Sequence, residues 1–371
     1  MTIIDDQGNS CVDLVAALSS CLGHRHPNVV EAIKRASDQN LGTAFDRLDS
    51  DWHRELAEDC ASFDHCQLVS SATDANEVAF RIARSAFGTE RYRVITLLGS
   101  DHGDSVAMRS AGGRIQSQGF DGPVVAGYRH VVPANIGALT KAIDATTAAI
   151  CIAPVDWNKG GEAFDVDYLK AIASLCQERE LLFIIDETRI PPGIGGTLFF
   201  HGRAEISADI LTASAGWCGG LAGGMTFINS STLATLKQRE DLNLDWLHHQ
   251  PDSPLLRATI SVTSSVIANE QWLGRVAETV DIWAAMLDDV TSGFDFVRSC
   301  VHAGLWTTIE LDLPAVDAAM RSFANGLRLL VTGETTLLIC PPITATGDSL
   351  LEAIEPLRRT FESLERETTP S

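Results

Sequence analysis

The chain has 371 residues, 45% of them hydrophobic, enough to bury one large core or a large and a small one. Its formal charge of −21, from 49 acidic and 28 basic residues, excludes the broad cationic face that a nucleic-acid partner requires. No run approaches ~18 apolar residues, and the opening MTIIDDQGNS has neither a basic n-region nor an apolar h-region, so a cytoplasmic protein without membrane association is expected. The nine cysteines are scattered, without CxxC or zinc-like spacing; reduced buried thiols are expected, and no metal site.

Taken in chain order, short apolar runs closed by small or acidic residues predict strands at HCQLVSS (65–71), YRVITLLGS (92–100), AAICIAPV (148–155), LLFIIDE (181–187) and DILTAS (209–214). Such runs suit strands buried on both faces. Between them, ANEVAFRIARSAFG (75–88) ends on a glycine C-cap signal, and VDYLKAIASLCQERE (166–180) carries apolar residues at helical spacing. This alternation predicts a mostly parallel sheet flanked by helices, with its ligand site at the carboxyl ends of the strands. After about residue 270 the pattern changes. A long helix over 271–290, strands within GLWTTIELDL (304–313) and TTLLICPPI (335–343) and a charged final helix predict a second, α+β unit, and only the tail ETTPS reads as disordered.

Three strand ends carry candidate chemistry. In SSATDANE (70–77), Ala72 and Thr73 open a helix whose free N–H groups favour an anion, although a plain N-cap explains the same residues. GSDHGDS (99–105) sets Asp101 and His102 just past a strand. Asp186, in IIDETR (184–189), ends a wholly apolar run, and a carboxylate buried there must be paired or bonded to a cation.

The order of these blocks resembles the class III aminotransferases, fold-type I enzymes that use pyridoxal phosphate, and within them the acetylornithine and ornithine branch. The segment IIDDQGNSCVDLVAALSSCLGHRHPNVVEAIKRASDQ is similar to the family's opening segment, SSATDANEVAFRIAR to its phosphate loop, and GSDHG to its aromatic-His-Gly. VAGYRHVVPANIGALTKAI, the stretch from APVDW to LLFIIDE, and LLICPPI follow the same register. The resemblance implies an α/β fold with a large domain, whose mostly parallel sheet is flanked by helices, plus a smaller α+β domain. It divides the chain into 1–40, an N-terminal segment of the small domain; 41–268, the large cofactor-type domain; and 269–371, the C-terminal small domain. It also implies a two-fold homodimer, and no counterpart is expected for the helix that usually precedes the opening segment.

Carried over residue by residue, the family's roles meet substitutions. The Schiff-base lysine corresponds to Ala215 in TASAGWCGG, and the aromatic that stacks on the cofactor ring to Asp101. The glutamine after the Asp-Glu pair corresponds to Arg189, and the loop arginine beyond it to Ile194. The substrate-carboxylate arginine corresponds to Leu338 and the glutamate of the Glu-Pro pair to Ala153, while the neighbouring subunit's phosphate-binding threonine has no clear counterpart in HHQPDSP (248–254). Asp186 keeps the position that faces the pyridine nitrogen. With the cofactor's cation gone, Arg189 is expected to turn inward onto it. Of the five lysines, Lys34, Lys141, Lys170 and Lys237 lie in helical patterns, and Lys159, in the NKGG loop, reads as an exposed turn residue.

These substitutions imply that no cofactor is held covalently, and pyridoxal phosphate is expected only through the resemblance. Three readings follow. One is a non-catalytic or regulatory homologue, a homodimer or the heterodimer partner of an active relative. Another is a repurposed, cofactor-independent enzyme acting on a small molecule with Asp101, His102, Asp186 and Arg189. The third is acetylornithine-type aminotransfer with pyridoxal phosphate bound non-covalently.

Overall fold

A computed structural model of the chain describes every residue except 5, 7, 9, 39–51, 57, 114–122, 249–252 and 369–371. Most of the HHQPDSP segment and the end of the ETTPS tail therefore lie outside the described residues.

The central sheet has seven strands: β1 (His65–Val69), β2 (Arg93–Leu97), β3 (Tyr128–Val131), β4 (Thr147–Ile152), β5 (Leu182–Glu187), β6 (Ile210–Ala213) and β7 (Gly224–Ile228). Their order across the sheet is 3-2-4-5-6-7-1. Every pairing is parallel except those of β7 with β6 and with β1. β1, β4, β5, β6 and β7 are buried along their whole length, as expected of strands covered by helices on both faces.

The five apolar runs all fold as strands, with ends shifted by a residue or a few; the strand of the 148–155 run starts one residue earlier, at Thr147. β3 and β7 escape that reading. YRHV is half polar, and GMTFI opens on the last glycine of the turn that precedes it.

Helix α1 (Ala72–Phe87) follows β1 directly. Ser71 caps it by accepting from the Asp74 amide, and Gly88, with φ +70°, ends it. One face of α1, including Ala75, Val78, Ala79, Ile82 and Ala83, is buried, and α1 packs against β6 and β7. That placement brings its first turn to the carboxyl ends of β5 and β6.

Beyond the long helix α2 (Trp272–Thr291), the strands β8 (Val297–Ala303), β9 (Trp306–Leu311) and β10 (Thr336–Ile339) pair antiparallel in that order, with Leu330–Val331 on the far side of β10. The final helix runs over Gly347–Thr368. The N-terminal strand Ser10–Asp13 pairs with Leu327–Arg328, so the first residues pack on the C-terminal part of the chain. Asp13 is fully buried there and accepts bonds from His24, Arg328 and the Val15 amide, which compensates its lost hydration. Among the described residues, no helix is long and apolar enough to cross a membrane.

Candidate functional site

Asp186 ends β5 beside Thr212 of β6, its register partner, and is 3% exposed. Both carboxylate oxygens are occupied. Oδ1 accepts from the Thr188 amide (2.9 Å), the Thr188 hydroxyl (2.6 Å) and the Thr212 hydroxyl (3.3 Å). Oδ2 accepts from Asn76 Nδ2 (2.8 Å) and His102 Nδ1 (2.7 Å). Burial pushes the Asp186 carboxyl up, but the adjacent His102 imidazole and the Thr188 bonds outweigh it and hold the group below its ordinary value. An ionised carboxylate only accepts, so Nδ1 of His102 carries the proton it donates.

His102 is itself buried, its ring edge-on to Phe80 at 5.8 Å, and its Nε2 has no hydrogen-bond partner among the described residues. Asn76, on the second turn of α1, links the parts: its amide nitrogen also donates to the His102 carbonyl (2.8 Å), and its oxygen accepts from Thr212 (2.7 Å). Asn76, Thr188 and Thr212 escaped the sequence reading. An asparagine amid the apolar face of a helix is the signal for the first, and the parallel register beside Asp186 for the last.

Arg189 does not turn in on Asp186. Its side chain, 44% exposed, meets Asp101 Oδ2 at 2.8 Å, and His102 takes the buried carboxylate instead. The physical reason lies in hydration: an imidazole N–H can satisfy a buried carboxylate, whereas burying a guanidinium as well would strip it of water. Arg189 and Asp101 thus pair with each other at the rim.

The helix end at Ala72 and Thr73 lies against the same loop. Thr73 Oγ1 accepts from the Asp104 amide (3.1 Å), and the Cβ position of Gly103, at φ +129°, lies 2.5 Å from Thr73 Oγ1. Only glycine permits so close an approach. Asp74 stands in the first turn of α1, so carboxylates at 74, 101 and 104 surround amides that would otherwise favour an anion. A crevice of about 60 Å³, lined by Asp101, His102, Asp104, Met108 and Arg109, opens beside them.

Ala215 stands in the turn after β6 and is half-buried. Main-chain bonds fix this turn: Ala215 N to Thr188 O (2.9 Å), Gly216 N to Leu18 O (3.1 Å) and Cys21 N to Gly216 O (3.0 Å). Gly216 has φ +77°, and a Cβ there would lie 2.7 Å from the Ala17 carbonyl. Trp217 points into the core at 1% exposure and packs on Phe199 at 5.7 Å. Ala153, Ile194 and Leu338 are buried within one apolar cluster. Glu187, the other acid of the Asp-Glu pair, accepts from the Phe200 and His201 amides and from His201 Nδ1, all at 2.7 Å, and so anchors the turn at Phe200–Ala204.

All five lysines are exposed and sit on other elements. Lys159 bonds Glu162 at 2.9 Å and Lys170 lies 3.7 Å from Glu205.

A mixed, mostly parallel seven-stranded sheet with an acidic residue at the carboxyl end of its central strand defines the class of protein. The family model described as Aminotransferase class-III matches residues 1–361. Similar curated proteins include an acetylornithine aminotransferase of Caldanaerobacter subterraneus subsp. tengcongensis, 26% identical over 95% of this chain and 90% of its own length. An ornithine aminotransferase 2 of Staphylococcus aureus is 28% identical over 96% of this chain and 91% of its own length. Among solved structures, the ornithine aminotransferase of Toxoplasma gondii superposes with TM-score 0.89 at 22% identity, covering 99% of this chain and 89% of that one. An amine transaminase from an uncultivated Pseudomonas species, solved in its pyridoxal-phosphate-bound form, gives TM-score 0.84 at 21% identity over 98% of this chain and 93% of that one. The chain belongs to the class III aminotransferases and has the fold-type I architecture. Its relatives are acetylornithine and ornithine aminotransferases, and pyridoxal phosphate is the cofactor of this family.

Proposed function

We propose that this chain is a class III aminotransferase relative that does not run lysine-based transamination and serves as a non-catalytic, regulatory member of the family. The observation that carries this reading is the turn after β6, where the half-buried side chain is that of Ala215 while every lysine is exposed elsewhere. A Schiff base needs an amine in reach, and aminotransfer needs a base to move the proton; methyl supplies neither.

The residues in place do not fit a covalently held pyridoxal phosphate. Both Asp186 oxygens are already bonded within the protein, and an Asp101–Arg189 pair occupies the position where the family places an aromatic ring.

Assembly is one use such a fold can serve. Leu98, Val106, Val132 and Ile136, all just past the carboxyl ends of β2 and β3 or on the helices that follow, are exposed apolar residues suited to a subunit contact. A two-fold homodimer, or a heterodimer with an active relative, fits that surface.

The retained Asp186–His102–Asn76 network favours a second reading, in which a repurposed, cofactor-independent site acts on a small molecule. Here Asp101, Arg189 and the unbonded His102 Nε2 would supply charge and proton transfer at the rim.

The test is absorbance of the purified protein with pyridoxal phosphate, followed by borohydride reduction and peptide mass spectrometry. The expected result is the spectrum of the free aldehyde and no specifically labelled peptide. A shifted visible band that survives dialysis, or one reduced adduct at a single lysine, overturns the reading in favour of aminotransfer. A thermal-shift screen of small metabolites then separates the two remaining readings, because only a repurposed site is stabilised by a small ligand through mass action.

A further inference from the structure

Far from the carboxyl ends of the central sheet, three side chains of different chemistry converge on the C-terminal sheet. Cys300 and His302 alternate along the edge strand β8 and so share one face, against which α2 packs and presents Asp288. His302 Nε2 lies 3.1 Å from Asp288 Oδ1 and 3.5 Å from Cys300 Sγ, and the three ligand atoms all fall within 4.8 Å of one another.

We propose that Asp288, Cys300 and His302 form a binding site for one divalent transition ion, Zn²⁺ above all, that fastens α2 to β8. A tetrahedral zinc about 2.0–2.1 Å from nitrogen and oxygen and about 2.3 Å from sulfur holds its ligand atoms roughly 3.3–3.6 Å apart. The measured separations from Nε2 match that spacing to within a few tenths of an ångström.

Three further observations support an ion rather than a hydrogen-bonded cluster. Nδ1 of His302 lies 2.9 Å from the hydroxyl of Thr307, its register partner on β9, which is fully buried. A proton held there by Thr307 leaves the Nε2 lone pair aimed at the carboxylate and the sulfur, the orientation that metal-bound histidines receive from their outer partners. Two electron-rich atoms then converge on one nitrogen. A single proton bridges only one of them, and a cation serves all three.

The arrangement also differs from a nucleophilic triad. There the carboxylate holds the ring nitrogen remote from the nucleophile, whereas Asp288 and Cys300 crowd the same nitrogen. Finally, Cys300 is the most open of the nine cysteines, and Asp288 is 61% exposed, so an ion and a completing water can enter from solvent. The mixture of thiolate, imidazole and carboxylate suits Zn²⁺ and Co²⁺ and disfavours Ca²⁺ and Mg²⁺.

The test uses the full chain, stripped with chelator and titrated with zinc chloride by calorimetry and with cobalt chloride by absorbance. One ion per chain is expected, with a cobalt–thiolate charge-transfer band and a higher melting temperature with zinc. Because the other eight cysteines are buried, loss of that band in Cys300→Ser assigns it. Cys300→Ser and Asp288→Asn should each weaken zinc binding at least ~10-fold, and Thr307→Val roughly 10-fold, while leaving the circular dichroism unchanged. Asp288→Asn alters an exposed side chain and keeps the test valid if the Cys300 variant misfolds. No cobalt–thiolate band in the parent chain, or zinc affinity unchanged in Asp288→Asn, overturns the proposal.

Discussion

At the scale of single residues, the site is organised by a buried carboxylate that must be satisfied. Asp186 has a folded-state pKa below its ordinary value, so it contributes stability above the unfolded value, and that contribution is lost as pH falls through the folded one. Chemical denaturation followed from neutral pH down past about pH 4 should therefore show a steeper loss of stability in the parent chain than in Asp186→Asn. Removing His102 strips a hydrogen bond from a buried charged acceptor, and His102→Ala should cost about 2–3 kcal/mol in urea unfolding. Arg189→Ala breaks an ion pair half open to solvent, and its cost should stay under ~1 kcal/mol. This contrast measures where the charge of the site is held. The buried acid was legible from its place at the end of an apolar run. Its partner was not, because His102 and Arg189 both stand near the strand ends, and burial, which a sequence does not print, decides between them.

Secondary-structure elements carry the next level of argument. α1 is set against β6 and β7 by its buried alanine and valine face, and its start is fixed by Ser71, whose hydroxyl accepts from the Asp74 amide at 3.0 Å. Ser71→Ala should cost ~1 kcal/mol, read as a shift in urea midpoint without a change of slope. Gly103→Ala combines strained backbone with a clash against Thr73 and should destabilise the chain by about 1–3 kcal/mol; no loss of stability would mean that the loop is free to move away from α1. The strands with continuous apolar runs were legible from sequence, as were α1, the 166–180 helix and α2. β8 was not, because VRSCVHA alternates too weakly on an edge strand whose outer face is wet. The same weakness hid the Cys300–His302 spacing, which becomes a pattern only once the strand places both on one face.

For the whole molecule, net charge and the proposed assembly set the expectations. A chain at −21 repels itself, and the repulsion is screened within ~10 Å at 0.1 M salt. Its melting temperature should rise from low salt to physiological ionic strength, and sedimentation at fixed salt should show a dimer that dissociates on dilution. A monomer at all concentrations would remove the homodimer while leaving the heterodimer and the argument at position 215 untouched. One large apolar cluster runs from Leu14 to Leu364 and takes in residues of the central and C-terminal sheets, while Val69, Val94, Ala149, Ile184, Ile210 and Ile228 of the central sheet pack with α1 in a second, which gives the fold a source of stability independent of any bound coenzyme.

The turn at 214–217 keeps its shape through its own main chain, and none of those bonds passes through the side chain at 215. A change of side chain at 215 therefore leaves the scaffold's folding intact, and the turn is a ready mould for anyone wishing to cast a new nucleophile into this frame.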